Sequence, residues 1–348
     1  MKDLKYLLAY LIPLSGGLAL AYQGVWSWAT LILAFIIIPI IDTFLPGTTQ
    51  NVPEEMEESR AKNVFFDVLL LACAPICFAL TFFYLYTLKT TVLTTFELAG
   101  LTMSIGIVLG ATGINVAHEL GHRPGRLEQS FAKSILLLVL YQHFFIEHNR
   151  GHHKYVSTDA DPATARKNEM IYQFIFRSVI GQYMGAWKLE KIRLQRSGDT
   201  ILSWKNEMVR FSVYQMSYLL VIAAAFGIQL IPFAIAIAVV GVLLLEIINY
   251  IEHYGLKRDI LPSGRPERVL PKHSWNSNQD VGRIMLFELT RHSDHHFKAS
   301  RKYQILRHMD ESPQLPTGYP GSMLMTLIPP LWFAVMNKRL EKRELTRH

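Results

Sequence analysis

The sequence predicts an all-α protein, an integral-membrane bundle of six transmembrane helices with a cytoplasmic helical cap. Two observations predict this fold class. Half of the 348 residues are apolar and gather into long runs, and the basic residues behind the net charge of +7 lie outside those runs. We therefore interpret residues 1–348 as a single membrane-embedded domain, because the bilayer is the expected solvent of most apolar side chains.

Six apolar runs are close to or above the ~18 residues that a helix needs to cross a hydrocarbon core. A late apolar stretch, 321–336, contains Pro329 and Pro330 and is too short and broken to span, so we expect a pair of interfacial helices there. The segments 118–209 and 251–348 form the predicted cap. The six predicted spans cover about 6–22, 25–42, 64–86, 94–116, 211–227 and 230–250.

The distribution of basic residues predicts the orientation. Of the 35 Lys and Arg residues, only Lys89 falls in a predicted outer loop. Because loops rich in Lys and Arg remain in the cytoplasm, we expect a multi-pass protein of the inner (cytoplasmic) membrane with both termini and the cap inside the cell. Topology thus explains the basic charge, and no nucleic-acid partner is expected.

The two cysteines, Cys73 and Cys77, lie four residues apart within the third apolar run. This count and spacing exclude a disulfide framework and a Cys-x-x-Cys metal site. They also exclude a rubredoxin-like iron centre within the chain itself. We interpret both as small apolar core residues.

Nine of the thirteen histidines cluster next to the predicted membrane boundaries. Eight of them form three short motifs, and the ninth lies at the cytoplasmic end of the sixth run. Ionisable groups at such depth are costly and are usually functional. The three motifs are His118-Glu-Leu-Gly-His122, His148-Asn-Arg-Gly-His152-His153 and His292-Ser-Asp-His295-His296, and the ninth histidine is His253.

The spacing within these motifs suits metal binding. On an α-helix, positions i and i+3 or i+4 lie on one face, so both His118/His122 and His148/His152 can present two imidazoles to one ion. The members of an adjacent pair such as His152–His153 face about 100° apart on a helix, so each can serve a different ion. Nine imidazoles exceed the ligands of a single ion. The sequence therefore predicts a histidine-rich di-metal site in the cap, with a lipid-soluble substrate.

Two other metal sites compete with this interpretation. His118-Glu119-Leu120-Gly121-His122 also matches the His-Glu-x-x-His motif of zinc proteases, in which the glutamate is the general base. That site would leave six of the motif histidines without a role. A carboxylate-bridged di-iron site needs two Glu-x-x-His units, whereas only Glu119-x-x-His122 occurs within the motifs. Imidazole alone suits zinc, copper, iron and nickel alike.

Seven segments resemble the membrane fatty-acid desaturase/hydroxylase superfamily and, within it, the alkane 1-monooxygenases. The histidine spacing is shared across the superfamily, whereas the fourth, fifth and seventh segments are specific to the narrower family. The resemblance covers residues from about 110 to 325. Members of the family have six transmembrane helices, which agrees with the number predicted here. The segments are NVAHELGHR (115–123), FFIEHNRGHHKYV (144–156), DPATAR (161–166), NYIEHYGL (249–256), HSWNSN (273–278), RHSDHHFKASRKYQ (291–304) and LPTGYPGSM (315–323).

The resemblance implies a non-haem di-iron monooxygenase. It would use O₂ to hydroxylate the terminal C–H bond of a medium- or long-chain alkane to a 1-alkanol, with no catalytic residue separate from the metal ligands. The two electrons would come from a separate rubredoxin, or a ferredoxin, with its reductase. The ligands implied for the two iron ions are His118, His122, His148, His152, His153, His253, His292, His295 and His296.

Two further sets of side chains are candidates for supporting roles. Imidazoles bound to a metal normally donate their other N–H to a carboxylate, amide or carbonyl. Asp294, enclosed within the third motif, is the strongest candidate for this role. The full set beside the motifs is Glu119, Glu147, Asn149, Asp159, Asp161, Asn249, Glu252 and Asp294. The candidates for lining a substrate channel are Ala34, Phe35, Ile38, Ile105 and Leu109.

The sequence leaves a second class of substrate open. A related membrane hydroxylase or desaturase that acts on alkyl-aromatics, fatty acids or other lipids would carry the same histidine motifs. The sequence does not specify the length of hydrocarbon that fits, because a hydrocarbon offers no polar group for recognition.

Overall fold

A computed structural model describes residues 2–45 and 47–345, except for the side chains of Lys2 and Glu344. This part of the chain contains helices and no strand, and its only β-type contacts are two isolated bridges, Ile260–Pro266 and Asn276–Gln314. The prediction of an all-α fold is confirmed.

Six helices in the described part of the chain are long and apolar enough to cross a membrane, which confirms the predicted number. The fourth continues past the end of its apolar run to Gly121, so His118 lies on the last turns of this helix. The protein is a multi-pass membrane protein. The candidate spans, numbered 1 to 6 below, are Asp3–Tyr22, Gly24–Phe44, Val64–Thr90, Thr95–Gly121, Glu207–Phe226 and Ile228–His253.

Further helices occupy the predicted cap and the links between spans. The late apolar stretch forms two helices, Tyr319–Thr326 and Pro329–Leu345. Their separation at Leu327 and Ile328 agrees with the predicted break before the proline pair. The other α-helices are Glu54–Ala61, Arg126–Leu138, His143–Glu147, His153–Tyr155, Ile171–Arg196, Asp280–Met285 and His292–Phe297.

The chain divides into two compact units. The first unit comprises the residues up to Ala34, Val64–Gly151 and Gln182–Leu245. The second unit comprises Phe35–Asn63, His152–Gly181 and the residues from Glu246 onward. The first unit therefore holds most of the spans, and the second holds the ends of spans 2 and 6 together with the C-terminal region.

Span 4 is the most enclosed helix of the first unit, because 78% of its apolar window is buried against 17% for span 5. Glycines allow this close packing. A Cβ added to Gly106 would lie 2.4 Å from Val240 Cβ on span 6, and one added to Gly110 would lie 3.1 Å from the Gly241 carbonyl oxygen. Small residues that let backbones approach are the usual basis of helix packing in lipid, where there is no hydrophobic drive.

Among the residues that the structure describes, three segments are π-helical: Leu33–Ile37, Leu109–Ile114 and His148–His152. Such wider turns are rare and are frequently found at functional sites. Two of them contain residues predicted to line a substrate channel, and the third is the second histidine motif.

We expect Gly106→Ala to destabilise the protein. The new methyl group would overlap Val240, and overpacking of this kind costs about 1–3 kcal/mol. Thermal unfolding in detergent should show a lower Tm. Gly17→Ala on span 1 is the matched control, because its Cβ would lie 3.7 Å from Leu80, an ordinary contact. Equal melting temperatures for the two variants would contradict the close packing of spans 4 and 6.

Candidate metal centre

Three histidines of the first unit, His118, His122 and His148, form a group that we call the triad. Their ligand nitrogens all lie within 4.8 Å of one another. His122 Nε2 is 3.0 Å from His148 Nε2, and the His118 and His148 ring centroids are 4.4 Å apart. His118 lies on span 4 and His122 directly follows it, and their ring centroids are 5.1 Å apart, as the i,i+4 spacing predicts.

Ion pairs position the residues around the triad, and the pair between Arg123 and Glu119 is buried. Arg123 bonds Glu119 at 2.7 Å and Asp67 at 3.1 Å, which ties the end of span 4 to the start of span 3. Arg150, inside the π-helical segment of the second motif, bonds Glu190 at 2.8 Å and Glu207 at 3.1 Å.

The Glu190 carboxylate accepts hydrogen bonds from Arg150, from Arg193 and from the Glu207 N–H. Burial works to raise the pKa of the Glu190 carboxyl, but hydrogen bonds from Arg193 and from the Glu207 N–H outweigh it, so the pKa lies below its usual value. The carboxylate therefore stays charged and holds Arg150 in place.

Four histidines of the second unit form a fully buried group that we call the tetrad: His152, His253, His292 and His296. Their ligand nitrogens also lie within 4.8 Å of one another. The Nε2–Nε2 distances are 3.2 Å for His152–His296, 3.2 Å for His253–His292 and 2.8 Å for His292–His296. All four side chains thus direct Nε2 towards one point.

The geometry of the tetrad fits a metal ion. Two nitrogens bound to one ion at about 2.1 Å lie about 3.0–3.4 Å apart, close to the spacing observed. The nitrogen Nε2 of His292 faces two imidazole nitrogens and, at 3.2 Å, the Glu252 carboxylate. A single ring nitrogen has one proton or one lone pair and cannot bond all three. A shared cation removes this conflict.

The imidazole of His296 is held in the form that binds metals. Burial lowers its pKa well below the usual value, and the neighbouring histidines lower it further. The ring is therefore neutral near pH 7, with one nitrogen free of a proton. A neutral imidazole is the state that metal coordination requires.

The remaining predicted ligands of the second unit, His153 and His295, form a pair with Nε2 atoms 3.2 Å apart. His153 follows the tetrad member His152 in the chain, and His295 precedes the tetrad member His296. Each pair of adjacent histidines therefore contributes one ring to the tetrad and one to this pair, as the helical spacing predicts. The second motif differs from the prediction, because His148 belongs to the triad and His152 to the tetrad. Its π-helical turn changes the angle between side chains at i and i+4 from the α-helical one.

Asp161 makes the contact expected of a residue that orients a ligand. Its Oδ2 is 2.9 Å from His152 Nδ1, and Thr164 Oγ1 donates to the same oxygen at 2.6 Å. Burial works to raise the pKa of the Asp161 carboxyl, but the hydrogen bonds from His152 and Thr164 keep it below the usual value. A carboxylate at Nδ1 holds the proton there and leaves Nε2 free for a metal.

Glu252 is the second predicted carboxylate that reaches an imidazole. Its Oε2 lies 3.2 Å from His292 Nε2, and its Oε1 accepts a 2.7 Å hydrogen bond from the Tyr319 hydroxyl. Burial and the nearby Glu252 charge raise the pKa of Tyr319 far above its usual value, so this hydroxyl keeps its proton and donates it to the hydrogen bond.

The HSWNSN segment fixes the third motif. The side-chain oxygen of Asn276 accepts from the Ser293 N–H at 2.9 Å, and its side-chain nitrogen donates to Ser293 Oγ at 2.7 Å. The Trp275 N–H donates to the Glu252 carbonyl at 2.8 Å. One short segment therefore connects the end of span 6 to the helix His292–Phe297.

The other predicted supporting residues take different positions. Asp294 is fully buried, but its carboxylate accepts from Arg301 at 2.5 Å and from the Arg307 N–H at 2.8 Å, and within the described residues not from an imidazole. It therefore anchors the chain after the motif. Asp159 is 74% exposed and pairs with Lys257. Glu147 and Asn249 are buried, and Asn149 donates to the carbonyl of Phe145 on the preceding turn.

The predicted channel residues lie within or beside the spans. Ile105 and Leu109 are fully buried, and Ala34 and Ile38 are nearly so. Phe35 is half-buried. Leu109 begins one π-helical segment, and Ala34 and Phe35 lie in another.

The sequence interpretation missed several residues that position the site. Tyr319, Thr164 and Arg150 contact a candidate carboxylate or fix a motif, as described above. All three lie within the LPTGYPGSM, DPATAR and FFIEHNRGHHKYV segments, so segment membership was the available signal. Spacing alone assigned them no role because their partners are distant in sequence.

The zinc protease alternative is not supported by the geometry. Glu119, which would be the general base, forms a buried ion pair with Arg123. Such a partner stabilises the ionised carboxylate and opposes its protonation. The histidine groups in the second unit would also remain unexplained.

Comparison with known proteins agrees with this site. The family model described as fatty acid desaturase matches residues 94–322, which include every predicted ligand. Alkane 1-monooxygenase 2 of Pseudomonas aeruginosa is 40% identical over 94% of this chain and 88% of its own length. Alkane 1-monooxygenase 1 of Alcanivorax borkumensis is 39% identical over 93% and 81%. The hydroxylase component XylM of a Pseudomonas putida xylene/toluene monooxygenase is 26% identical over 97% and 89%. The chain therefore belongs to the fatty acid desaturase family, and its relatives make it a monooxygenase of that family.

Proposed function

We propose that this chain is a non-haem di-iron alkane 1-monooxygenase that converts a medium- or long-chain alkane into the 1-alkanol. The overall reaction is R–CH₃ + O₂ + 2e⁻ + 2H⁺ → R–CH₂OH + H₂O. The observation that carries the proposal is the convergence of four Nε2 atoms in the buried tetrad. The relatives named alkane 1-monooxygenase, at about 39–40% identity, supply the substrate class.

We propose that the nine predicted histidines hold two irons, one of them at the tetrad. When bound, the irons would supply the oxygen-activating chemistry that no side chain can provide. The residues of the chain bind and orient these metals. Asp161 holds a proton on His152 Nδ1, and Glu252 with Tyr319 fixes the surroundings of His292.

The burial of the tetrad would protect the reaction. The tetrad histidines are at most 6% exposed, so bulk water is kept from the reacting groups. Excluding water prevents the reducing equivalents from being lost in side reactions. The predicted channel residues Ala34, Phe35, Ile38, Ile105 and Leu109 would admit the hydrocarbon from the bilayer.

The second candidate function is the hydroxylation of alkyl-aromatics. The similarity to the xylene/toluene hydroxylase component across 97% of this chain favours it, although the identity is 26% against 40% for the alkane enzyme. Because identity is higher to the alkane enzymes, the aliphatic substrate is preferred.

Purification from iron-replete cells tests the proposal. We expect about two irons per chain and, with rubredoxin, its reductase, O₂ and n-octane, the formation of 1-octanol. The matched assay with p-xylene should give less product per unit time. One zinc per chain, an alkene product, or turnover of p-xylene alone would each contradict the proposal.

Asp161→Asn should weaken metal binding while preserving the fold. The amide keeps the shape of the side chain but loses the charge that favours the required His152 tautomer, and such changes typically cost about 10–100-fold in metal affinity. Iron retained against increasing chelator measures the effect. Asp159→Asn is the control, since this carboxylate, two residues away, is exposed. Equal iron retention in the two variants would show that Asp161 does not position the ligand.

The cap is proposed to face the cytoplasm. Val92, between spans 3 and 4, is fully exposed, and Leu202, between spans 4 and 5, is 83% exposed. In intact cells, a membrane-impermeant thiol reagent should label Val92→Cys, whereas Leu202→Cys should react only after permeabilisation. The native Cys73 and Cys77 are buried and give little background. The reverse pattern would invert the orientation.

A further inference from the structure

The second unit contains a surface cavity of about 240 Å³ that no step of the proposed reaction uses. Three cations line it, Lys167, Lys257 and Arg343, together with one acid, Asp259. Leu256 and Leu340 form its apolar wall. We call this feature the basic cavity. It is too small for a protein but admits side chains that project from one.

The wall of the basic cavity is the chain that directly follows the tetrad ligand His253. The Leu256 N–H donates to the His253 carbonyl at 3.3 Å. The Gly255 N–H donates to the Ala165 carbonyl at 3.0 Å, which joins this wall to the DPATAR segment. One residue, Tyr254, therefore separates Gly255 in the cavity wall from His253.

A narrow cleft shares Gly255, Leu256 and Lys257 with the basic cavity and leads towards a second tetrad histidine. Asp161 and Thr164 line this cleft. Asp161 is in turn hydrogen-bonded to His152 Nδ1 at 2.9 Å. The cavity and its cleft thus approach the tetrad along two short paths, one through His253 and one through His152.

The surroundings of the cavity carry an excess of positive charge. Lys167 and Arg166 are exposed, and Lys257 is 64% exposed although it pairs with Asp159. The helix Pro329–Leu345, which supplies Leu340 and Arg343, adds exposed cations at its C-terminal end. These are Lys338, Arg339 and Lys342.

The reaction requires an electron source outside the chain. A monooxygenase consumes two electrons per O₂, and the sequence holds no nicotinamide, flavin, haem or iron–sulfur motif. Electron transfer slows steeply with distance, so a carrier has to dock where its path to the metals is short. The basic cavity meets this condition.

We propose that the basic cavity is the docking site of an acidic one-electron carrier protein, with carboxylates of the carrier entering between Lys167, Lys257 and Arg343. This inference rests on the proposed function. The reduced carrier docks twice in each turnover, gives one electron each time and leaves oxidised. Charge complementarity of this kind raises the association rate and aligns the partners.

Anionic lipid headgroups are the competing occupant of a basic surface. The approach of the cavity to His253 and His152 favours the carrier, because a headgroup has no need of a path to the metals. The experiment below distinguishes the two by the lipid in which the protein is reconstituted.

The test compares two double charge reversals. K167E/K257E alters the basic cavity, and K188E/K191E changes the charge equally at exposed lysines of the helix Ile171–Arg196. Both variants are reconstituted in nanodiscs of neutral phosphatidylcholine and assayed for octane hydroxylation with increasing reduced rubredoxin at low salt. We expect K167E/K257E to raise the KM for rubredoxin about tenfold with little change in kcat at saturation. K188E/K191E should match the wild type.

A carrier-free assay separates this inference from the proposed function. Each protein is reduced with dithionite, freed of reductant and exposed to O₂ and octane for one turnover. Failure of the wild type to form 1-octanol would overturn the proposed function. If all three proteins form 1-octanol but K167E/K257E keeps the wild-type KM for rubredoxin, the docking site is wrong. An effect of K167E/K257E that appears only in nanodiscs with anionic lipid would assign the cavity to headgroups and would also overturn the inference.

Discussion

The structure depends on one electrostatic constraint: four imidazole nitrogens of the second unit point at the same place. The Nε2 distances of 2.8–3.2 Å place more lone pairs and protons together than hydrogen bonds can satisfy. Without a positive ion this arrangement is costly in a buried site, where unmet polar groups are most penalised. The surrounding hydrogen bonds of Asp161, Glu252 and Asn276 are best understood as devices that maintain this convergence.

The membrane spans also help to hold the histidines in position. Span 4 packs tightly through Gly106 and Gly110 against span 6, and it ends at the triad histidines. A buried ion pair of Arg123 with Glu119 and a partly exposed one with Asp67 then fix the end of this span. A membrane helix and its polar terminus thus form one rigid support for the ligands. Small errors in that support would displace imidazoles whose useful positions span a few tenths of an ångström.

The sequence predicted the spans and the histidines that the fold brings together, because lipid imposes a minimum run length and helices impose fixed spacings. It did not predict where span 4 ends, since Asn115, His118 and Glu119 interrupt the apolar pattern while the helix continues to Gly121. The sequence also could not show that Asp161, and not Asp159, contacts a histidine of the site. These carboxylates are two residues apart, and only the tertiary fold buries one beside His152 and exposes the other.

The tetrad also has a consequence for the abundance of the protein in the cell. It joins His152 to His296, which are 144 positions apart in the chain. An ion that holds both acts as a cross-link that closes a long loop, and its binding free energy adds to the folding free energy. With iron as the proposed ion, iron starvation would then loosen the second unit and expose it to proteases. Nutrient supply would set the abundance of the enzyme as well as its turnover.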